Sequence, residues 1–342
     1  MSGESAIAAQ VEDILARSPT RRQPGRFTVA CPVYNRRRTL PQALDSLRAQ
    51  TYEDWVCLIL DDGSTDGAAQ VGTRYARTDP RFVYVRFEEN RGGVVMNEIG
   101  MRVACELGEY WSRLGSDDWF EPHKLLVDHV TLGRNELPAC FGPYQSRREH
   151  FVDRIVSDLC MLVPGTPSRV AASWVDAAVR SEALRTLRQR FGEPHERLQN
   201  PPMDARGHLL SGRFAMSWAN AAVRADVLRA VRDRFGGFCD PHSRNMEDFH
   251  CNARIASVSS ITWRGLKKDR KTVVIGAQTW AEAGDKDEFV YDGIWRVAGD
   301  GASSQHDQVA LDTGITLAAI RTDLAKHPPE TCPAVPPRVV CL

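Results

Sequence analysis

Four short segments of the 342-residue chain set the chemistry to be explained, because each brings acids, amides or aromatics to the edge of a regular pattern. In Val29-Ala-Cys-Pro-Val-Tyr-Asn35 an apolar run stops at a proline and hands Pro32, Val33, Tyr34 and Asn35 to a loop. The carboxyl edge of an open α/β sheet is where ligands sit, although an ordinary turn accounts for this segment equally well. In Leu58-Ile-Leu-Asp-Asp-Gly-Ser-Thr-Asp66 a second apolar run enters two adjacent carboxylates. Asp62 suits accepting the N–H of a uracil or thymine base, while Asp61 or Asp66 equally suits capping the next helix. Tyr110-Trp-Ser-Arg-Leu-Gly-Ser-Asp-Asp-Trp119 again ends in paired acids. Asp117 and Asp118 offer the hard oxygens that a divalent cation takes when phosphate and water complete its shell; a helix N-cap before Glu121-Pro122 is the other reading. Glu247-Asp248 heads a helical pattern, where a carboxylate can take a proton from a hydroxyl or simply complement the helix macrodipole.

The elements that must carry these residues are legible in the periodicity. FTVAC, WVCLIL and FVYV alternate with helical patterns over Thr39–Gln50, Gly67–Arg77 and Val94–Cys105, followed by a short strand at Tyr110–Leu114 and a helix over Pro122–Thr131. That alternation predicts an α/β fold with a parallel, doubly wound sheet through about residue 145. Beyond it, Tyr144–Val163 and Arg213–Ala221 read as irregular or antiparallel strands around a long helix over Ser168–Phe191. The apolar stripe Trp174, Val175, Ala178 and Val179 on that helix suits either core packing or a homo-oligomeric contact. Further helices are expected over Arg224–Arg234 and Met246–Ala256. The chain thus divides into an N-terminal extension (1–25), a first α/β part (26–145), a second part with the inserted helix (146–310), and a C-terminal segment (311–342) whose HPPETCPAVPPRVVCL reads as a mobile tail.

Composition narrows the classes. With 42% hydrophobic residues the chain can bury a full core, and 44 basic against 44 acidic residues leave no single-sign field for nucleic acid or a membrane surface. The nine cysteines lie mostly within apolar runs and form no CxxC pair, as expected of reduced, buried thiols. An acidic N-terminus without an apolar stretch, and no apolar run near ~20 residues, predict a cytoplasmic protein without a membrane span.

Taken in order, CPVYN (Cys31 to Asn35), LDDGSTD (Leu60 to Asp66), NRGGVVMNEIG (Asn90 to Gly100), GSDDW (Gly115 to Trp119) and MEDFHCNARIA (Met246 to Ala256) resemble family 2 of the glycosyltransferases. The likeness covers roughly Arg26 to Ala256. It implies the GT-A fold, a Rossmann-like, mostly parallel sheet with an antiparallel acceptor-side portion. It also implies transfer of a sugar from a nucleotide diphosphate donor, a UDP- or dTDP-sugar, onto an acceptor hydroxyl with inversion. By the same resemblance Pro32, Val33, Tyr34 and Asn35 would line the nucleotide, with Tyr34 on the base. Asp62 would bond the base N–H, Asp117 would face the ribose, and Asp118 would hold Mn²⁺ or Mg²⁺ at the diphosphate. Arg91 would lie near the donor, and Asp248 would be the general base supported by Glu247. Many relatives place an arginine just before the asparagine that is Asn97, where this chain has Met96. In the late segment Ile294 to Ser304 relatives carry a histidine where this chain has Ala298, so His306 is the candidate replacement ligand. His242 and His250 read as surface or helix-face residues. A non-catalytic nucleotide-sugar-binding protein keeps the same motifs without the chemistry. A sugar nucleotidyltransferase would need a glycine-rich loop that PVYNRRRTL lacks, and a processive synthase would need membrane spans.

Overall fold

The computed structural model describes residues 3–18, 23–134, 136–142, 144–148, 197–199, 205–210, 218–240, 247–276, 289–290, 294–298, 306–336 and 338–342. The helix expected over Ser168–Phe191 lies outside them. The chain opens with α1 (Gly3–Arg17), then alternates β1 (Phe27–Val33), α2 (Leu40–Arg48), β2 (Trp55–Asp61), α3 (Ala68–Thr78), β3 (Phe82–Arg86), α4 (Gly93–Leu107) and β4 (Tyr110–Arg113). Next come β5 (Trp119–Phe120), α5 (Lys124–His129) with a π-helical turn over Val130–Arg134, β6 (Ala139–Phe141), β7 (Tyr144–Arg148), β8 (Arg197–Gln199) and α6 (Ala205–Leu210). The described remainder holds β9 (Ala221–Arg224), α7 (Ala225–Phe235), α8 (Glu247–Val258), β10 (Thr262–Lys267), β11 (Thr272–Gly276), β12 (Phe289–Val290), β13 (Ile294–Ala298), α9 (His306–Lys326) and β14 (Arg338–Cys341).

β1 and β2 are near-continuous apolar runs because helices cover both faces of the parallel sheet they form. β1 pairs in parallel with β2 and β4, and β2 with β3. Alternate side chains part to opposite layers: Cys57 and Ile59 join one buried cluster with Leu40, Leu44 and Leu47, while Val56, Leu58 and Leu60 join another with Met96, Ile99 and Val103. On the second face α4 lies close against β1, since a Cβ at Gly100 would stand 2.7 Å from that of Ala30. The sheet continues as β14-β11-β10-β6-β9-β4-β1-β2-β3, with antiparallel pairing at β4–β9, β6–β9, β10–β11 and β11–β14. Strands from beyond residue 145 therefore complete the same sheet. A smaller sheet, in the order β5-β13-β7-β8, stands beside it.

Two expectations about the ends are corrected. α1 belongs to the packed fold, for Val11 and fully buried Ile14 sit in the cluster with Leu58 and Met96; burying such a side chain contributes about 1.5–3 kcal/mol. The last residues also form structure. β14 pairs in register with β11, Thr272 opposite Cys341 and Ile275 opposite Arg338, because the prolines precede the strand and leave its N–H groups intact.

The two halves of the large sheet are tied by buried charge. Lys124, Asp128 and Arg264 are each fully buried. Lys124 Nζ stands 2.7 Å from Asp128 Oδ2 and also bonds Ser112 Oγ on β4. Arg264, from β10, meets Asp128 Oδ1 at 2.7 Å and donates to Asn220 Oδ1 at 2.8 Å. Burial pulls the Lys124 ammonium down from its ordinary pKa, and Asp128 opposes that pull. A second, partly buried junction fastens α9 to α8. Asp323 Oδ2 accepts from His250 Nε2 at 2.6 Å and from Arg254 Nε at 2.7 Å. Burial alone would push the Asp323 carboxyl up, but these donors outweigh it and bring it from 3.8 to about 2.

Asp128→Asn leaves two buried cations without their anion, so we expect a loss of about 3–5 kcal/mol in denaturant unfolding; a loss under ~1 kcal/mol would show that the cations find other partners. The depressed Asp323 carboxyl contributes stability that is complete above its unfolded pKa and is lost as pH falls through the folded one. The stability gap between wild type and Asp323→Asn should accordingly narrow as pH falls from about 4 to about 2, which acid titration of the unfolding midpoint would measure.

Candidate functional site

The loops after β1 and β2 are bound to each other through side chains that replace missing backbone partners. Asn35 adopts a left-handed conformation (φ 53°), which asparagine tolerates better than most residues. Its N–H donates to Ser64 Oγ at 3.0 Å, and its Oδ1 accepts from Thr65 N at 2.8 Å. The neighbouring Tyr34 ring is left 46% exposed at the sheet's carboxyl edge, free to meet a planar ligand. Asp61, fully buried, accepts from Ser64 N at 2.9 Å and from the Tyr84 hydroxyl at 2.6 Å. Burial first, and the hydrogen bond to Asp61 second, hold the Tyr84 phenol above its ordinary range. Asp66 accepts from Arg37 N and from Ala68 N in the first turn of α3. Asp61 therefore closes the turn after β2, and Asp66 reaches the first residue of α3, whose N-cap position is Gly67.

Asp62 does something the sequence did not announce. Its two carboxylate oxygens accept the N–H groups of Arg91 and Gly92 at 2.7 and 2.8 Å, so it braces the turn into α4. Each oxygen keeps a further lone pair. The Arg91 guanidinium lies 5.7 Å from the centre of the Phe87 ring. At the next residue, a Cβ at Gly93 would stand 3.7 Å from Glu247 Oε1. Glu247, the first residue of α8, thus lies beside the N-terminal end of α4, where the helix dipole favours negative charge. Asp248 is half-buried beside Glu247, and its Oδ1 accepts from Phe249 N at 2.9 Å.

Asp117 and Asp118 follow β4 directly. Asp118 is 4% exposed, and its carboxylate folds back over Gly115, where an added Cβ would meet Oδ2 at 2.3 Å. Only glycine fits there. Asp117 receives Arg36 Nε at 3.2 Å, a contact the sequence reading missed although three consecutive arginines follow Asn35. Behind the acids, burial pushes the Cys31 thiol up to about 12; Arg113 pulls it down while Asp117 and Asp118 push it further, so all four groups converge. Arg113 was also missed. Its Nε donates to Asn97 Oδ1 at 3.2 Å, and Asn97 Nδ2 is buried without a hydrogen-bond partner among the described residues. Met96 is fully buried and packs into the core cluster of α1 and α4. A guanidinium thus reaches Asn97 from β4 and not from its own helix.

Among the described residues no three His, Cys, Asp or Glu side chains cluster to hold a metal ion. The Asp117–Asp118 pair supplies two hard carboxylates, a set that suits a divalent cation only when a ligand's phosphates complete the shell. β13, the late segment with Ala298, returns beside the acids: its Trp295 pairs with Trp119 and its Ile294 with Phe120. His306 is the first residue of α9, and its side chain lies outside the described part, as does His242. His250 is buried and bound through both ring nitrogens, to Asp240 N and to Asp323, which makes it a packing residue and not a surface one.

A mostly parallel sheet with acids gathered at its carboxyl edge and an antiparallel extension defines a GT-A-type nucleotide-sugar fold. Residues 28–140 match the model of glycosyl transferase family 2. Glycosyltransferase GlyA of Streptococcus pneumoniae serotype 4 is 33% identical over 124 residues, 36% of this chain and 17% of the relative. The putative glycosyltransferase EpsH of Bacillus subtilis is 38% identical over 91 residues, 26% of this chain and 25% of the relative. The chain thus spans a minor part of the curated relatives it matches. S. aureus TarS in complex with UDP-GlcNAc superposes with a TM-score of 0.55 at 14% identity, over 89% of this chain and 68% of that one, a likeness of fold. No helix among the described residues is long and apolar enough to cross a membrane.

Removing the brace should free the turn into α4. In Asp62→Ala the amides of Arg91 and Gly92 should exchange with solvent roughly 10- to 100-fold faster, the equivalent of one charge-assisted hydrogen bond. Unchanged exchange at both would mean that the turn is held by other contacts.

Proposed function

We propose that this chain is a glycosyltransferase that moves a sugar from a nucleotide diphosphate donor, UDP- or dTDP-linked, to an acceptor hydroxyl with inversion. The observation that carries the reading is the braced turn at Arg91–Gly93, which Asp62 holds through both carboxylate oxygens and beside which Glu247, neighbour of Asp248 at the start of α8, comes to rest. Tyr34 stacks on the base, and the remaining lone pairs of Asp62 accept its N–H. Asp117 faces the ribose hydroxyls, releasing Arg36 toward the diphosphate. Asp118 holds a divalent cation, Mn²⁺ or Mg²⁺, which when bound neutralises charge on the departing diphosphate.

Arg113 and the unpartnered Nδ2 of Asn97 supply further donors on the donor side, in place of the arginine that Met96 displaces. Transfer with inversion needs the acceptor hydroxyl to lose its proton as it attacks in line. Asp248 takes that proton, and Glu247 keeps the helix start charged and oriented. A positioned carboxylate in this role contributes ~10²–10⁴ in rate. The UDP-GlcNAc of TarS favours a uracil donor here on likeness of fold alone. We place the transfer in the cytoplasm, its acceptor a polysaccharide, a lipid-linked glycan or a small natural product.

Calorimetric titration with UDP, dTDP and GDP, with and without Mn²⁺, should show metal-dependent binding of one diphosphate in wild type and its loss in Asp118→Ala. Asp248→Asn should bind the same diphosphate normally and release product ~10²–10⁴-fold more slowly. Absence of binding to all three at millimolar ligand would sink the reading.

A further inference from the structure

The junction between α9 and α8 lies outside the family-matched residues 28–140, yet it holds the element that begins with Glu247 and Asp248. His250 and Arg254 stand one helical turn apart on α8, and both donate to the same Asp323 oxygen, at 2.6 and 2.7 Å. Each also reaches the turn that precedes α8. His250 Nδ1 accepts the N–H of Asp240 at 2.9 Å, and Arg254 Nη1 donates to the carbonyl of Gly237 at 2.9 Å. Because a backbone N–H occupies Nδ1, the ring proton must sit on Nε2 and point at Asp323. The imidazole, 1% exposed, is thereby fixed in tautomer and orientation.

Helix geometry converts this into a setting for the acids. Residues advance about 100° each around an α-helix, so Asp248 projects about 200° away from His250. The rotation of α8 that seats His250 and Arg254 on Asp323 is the same rotation that places Glu247 Oε1 beside Gly93 and sets the direction in which Asp248 projects. The turn itself is held from the other side, since Glu98 on α4 accepts from Phe238 N at 2.8 Å. One carboxylate on α9 thus closes a frame that runs from α8 through residues 237–240 to α4, the helix entered at the braced donor turn.

We infer that Asp323 is a positioning residue for the transfer reaction, acting through His250 and Arg254 to fix the rotation of α8 and with it the aim of Asp248. The inference rests on the reading of Asp248 as base given above. A carboxylate so misaimed by loss of its support costs about 10- to 100-fold in turnover without touching donor affinity.

The test compares Asp323→Asn, Asp323→Glu and Asp248→Asn, with Arg321→Ala on the exposed face of α9 as control. Release of nucleoside diphosphate is followed from UDP-GlcNAc, dTDP-glucose and GDP-mannose, taking the donor that wild type turns over fastest. Asp323→Asn should lower kcat about 10- to 100-fold with the donor KM within about twofold, and Asp323→Glu, which keeps the charge, should recover part of the loss. Arg321→Ala should match wild type. If Asp248→Asn is slow and Asp323→Asn is not, the positioning role is overturned while the base assignment stands. If Asp248→Asn is as fast as wild type, or wild type turns over no donor, the base assignment itself fails. Amide exchange at Phe249 and His250 then decides the frame alone: faster exchange in Asp323→Asn than in Arg321→Ala supports it, and equal exchange overturns it.

Discussion

The fold depends on the placement of a single buried carboxylate between two buried cations. Asp128 faces Lys124 on its own helix and Arg264 from β10, and neutral acceptors on Ser112 and Asn220 take the remaining donors. Two positive charges share one negative charge in a region closed to water, so the attraction is strong and the anion has no substitute. Its location gives it reach. Ser112 belongs to the parallel half of the sheet, Arg264 to the half completed from later sequence, and Lys124 to the helix that follows the Asp117–Asp118 loop. Both ends of that acidic loop are therefore anchored to a structure that resists deformation.

On that frame the loops at the carboxyl edge hold one another with backbone-directed bonds. Asn35 joins the loops after β1 and β2, and Asp62 joins the loop after β2 to the turn into α4. Each link uses a polar side chain to satisfy a backbone group, which fixes loop shape without a helix or strand ladder. Dipoles held in advance of binding do not have to reorganise when a charged ligand arrives. The glycine under Asp118 serves the same end by letting a carboxylate lie where any side chain would exclude it.

Much of this was readable from residue order. β1, β2 and α4 follow from uninterrupted apolar runs and a helical period, and the acids stand at strand ends as their spacing predicts. What sequence could not give were contacts between residues far apart in the chain. Nothing local marks Lys124 and Arg264 as buried, since such residues are usually exposed. Nothing near Gly93 points to Glu247, and nothing in PVYNRRRTL tells which arginine meets Asp117. α1 lies in the residues set apart as an N-terminal extension because nothing local in them points to their packing partner. β14 was missed because the prolines before it dominate the composition of a segment whose last residues are free of them.

That last strand has a meaning beyond the pairing it makes. β11 presents Val273, Val274 and Ile275 in an uncharged stretch, all three buried, and β14 occupies the backbone edge that would otherwise stand open. Apolar, β-branched edges recruit other strands, and proteins blunt them with proline, charge or a cover. Arg338 and the prolines just upstream place such gatekeepers on the cover itself. β14 therefore guards the chain against strand-mediated association, and a form without it would be exposed to aggregation even if its remaining core stayed folded.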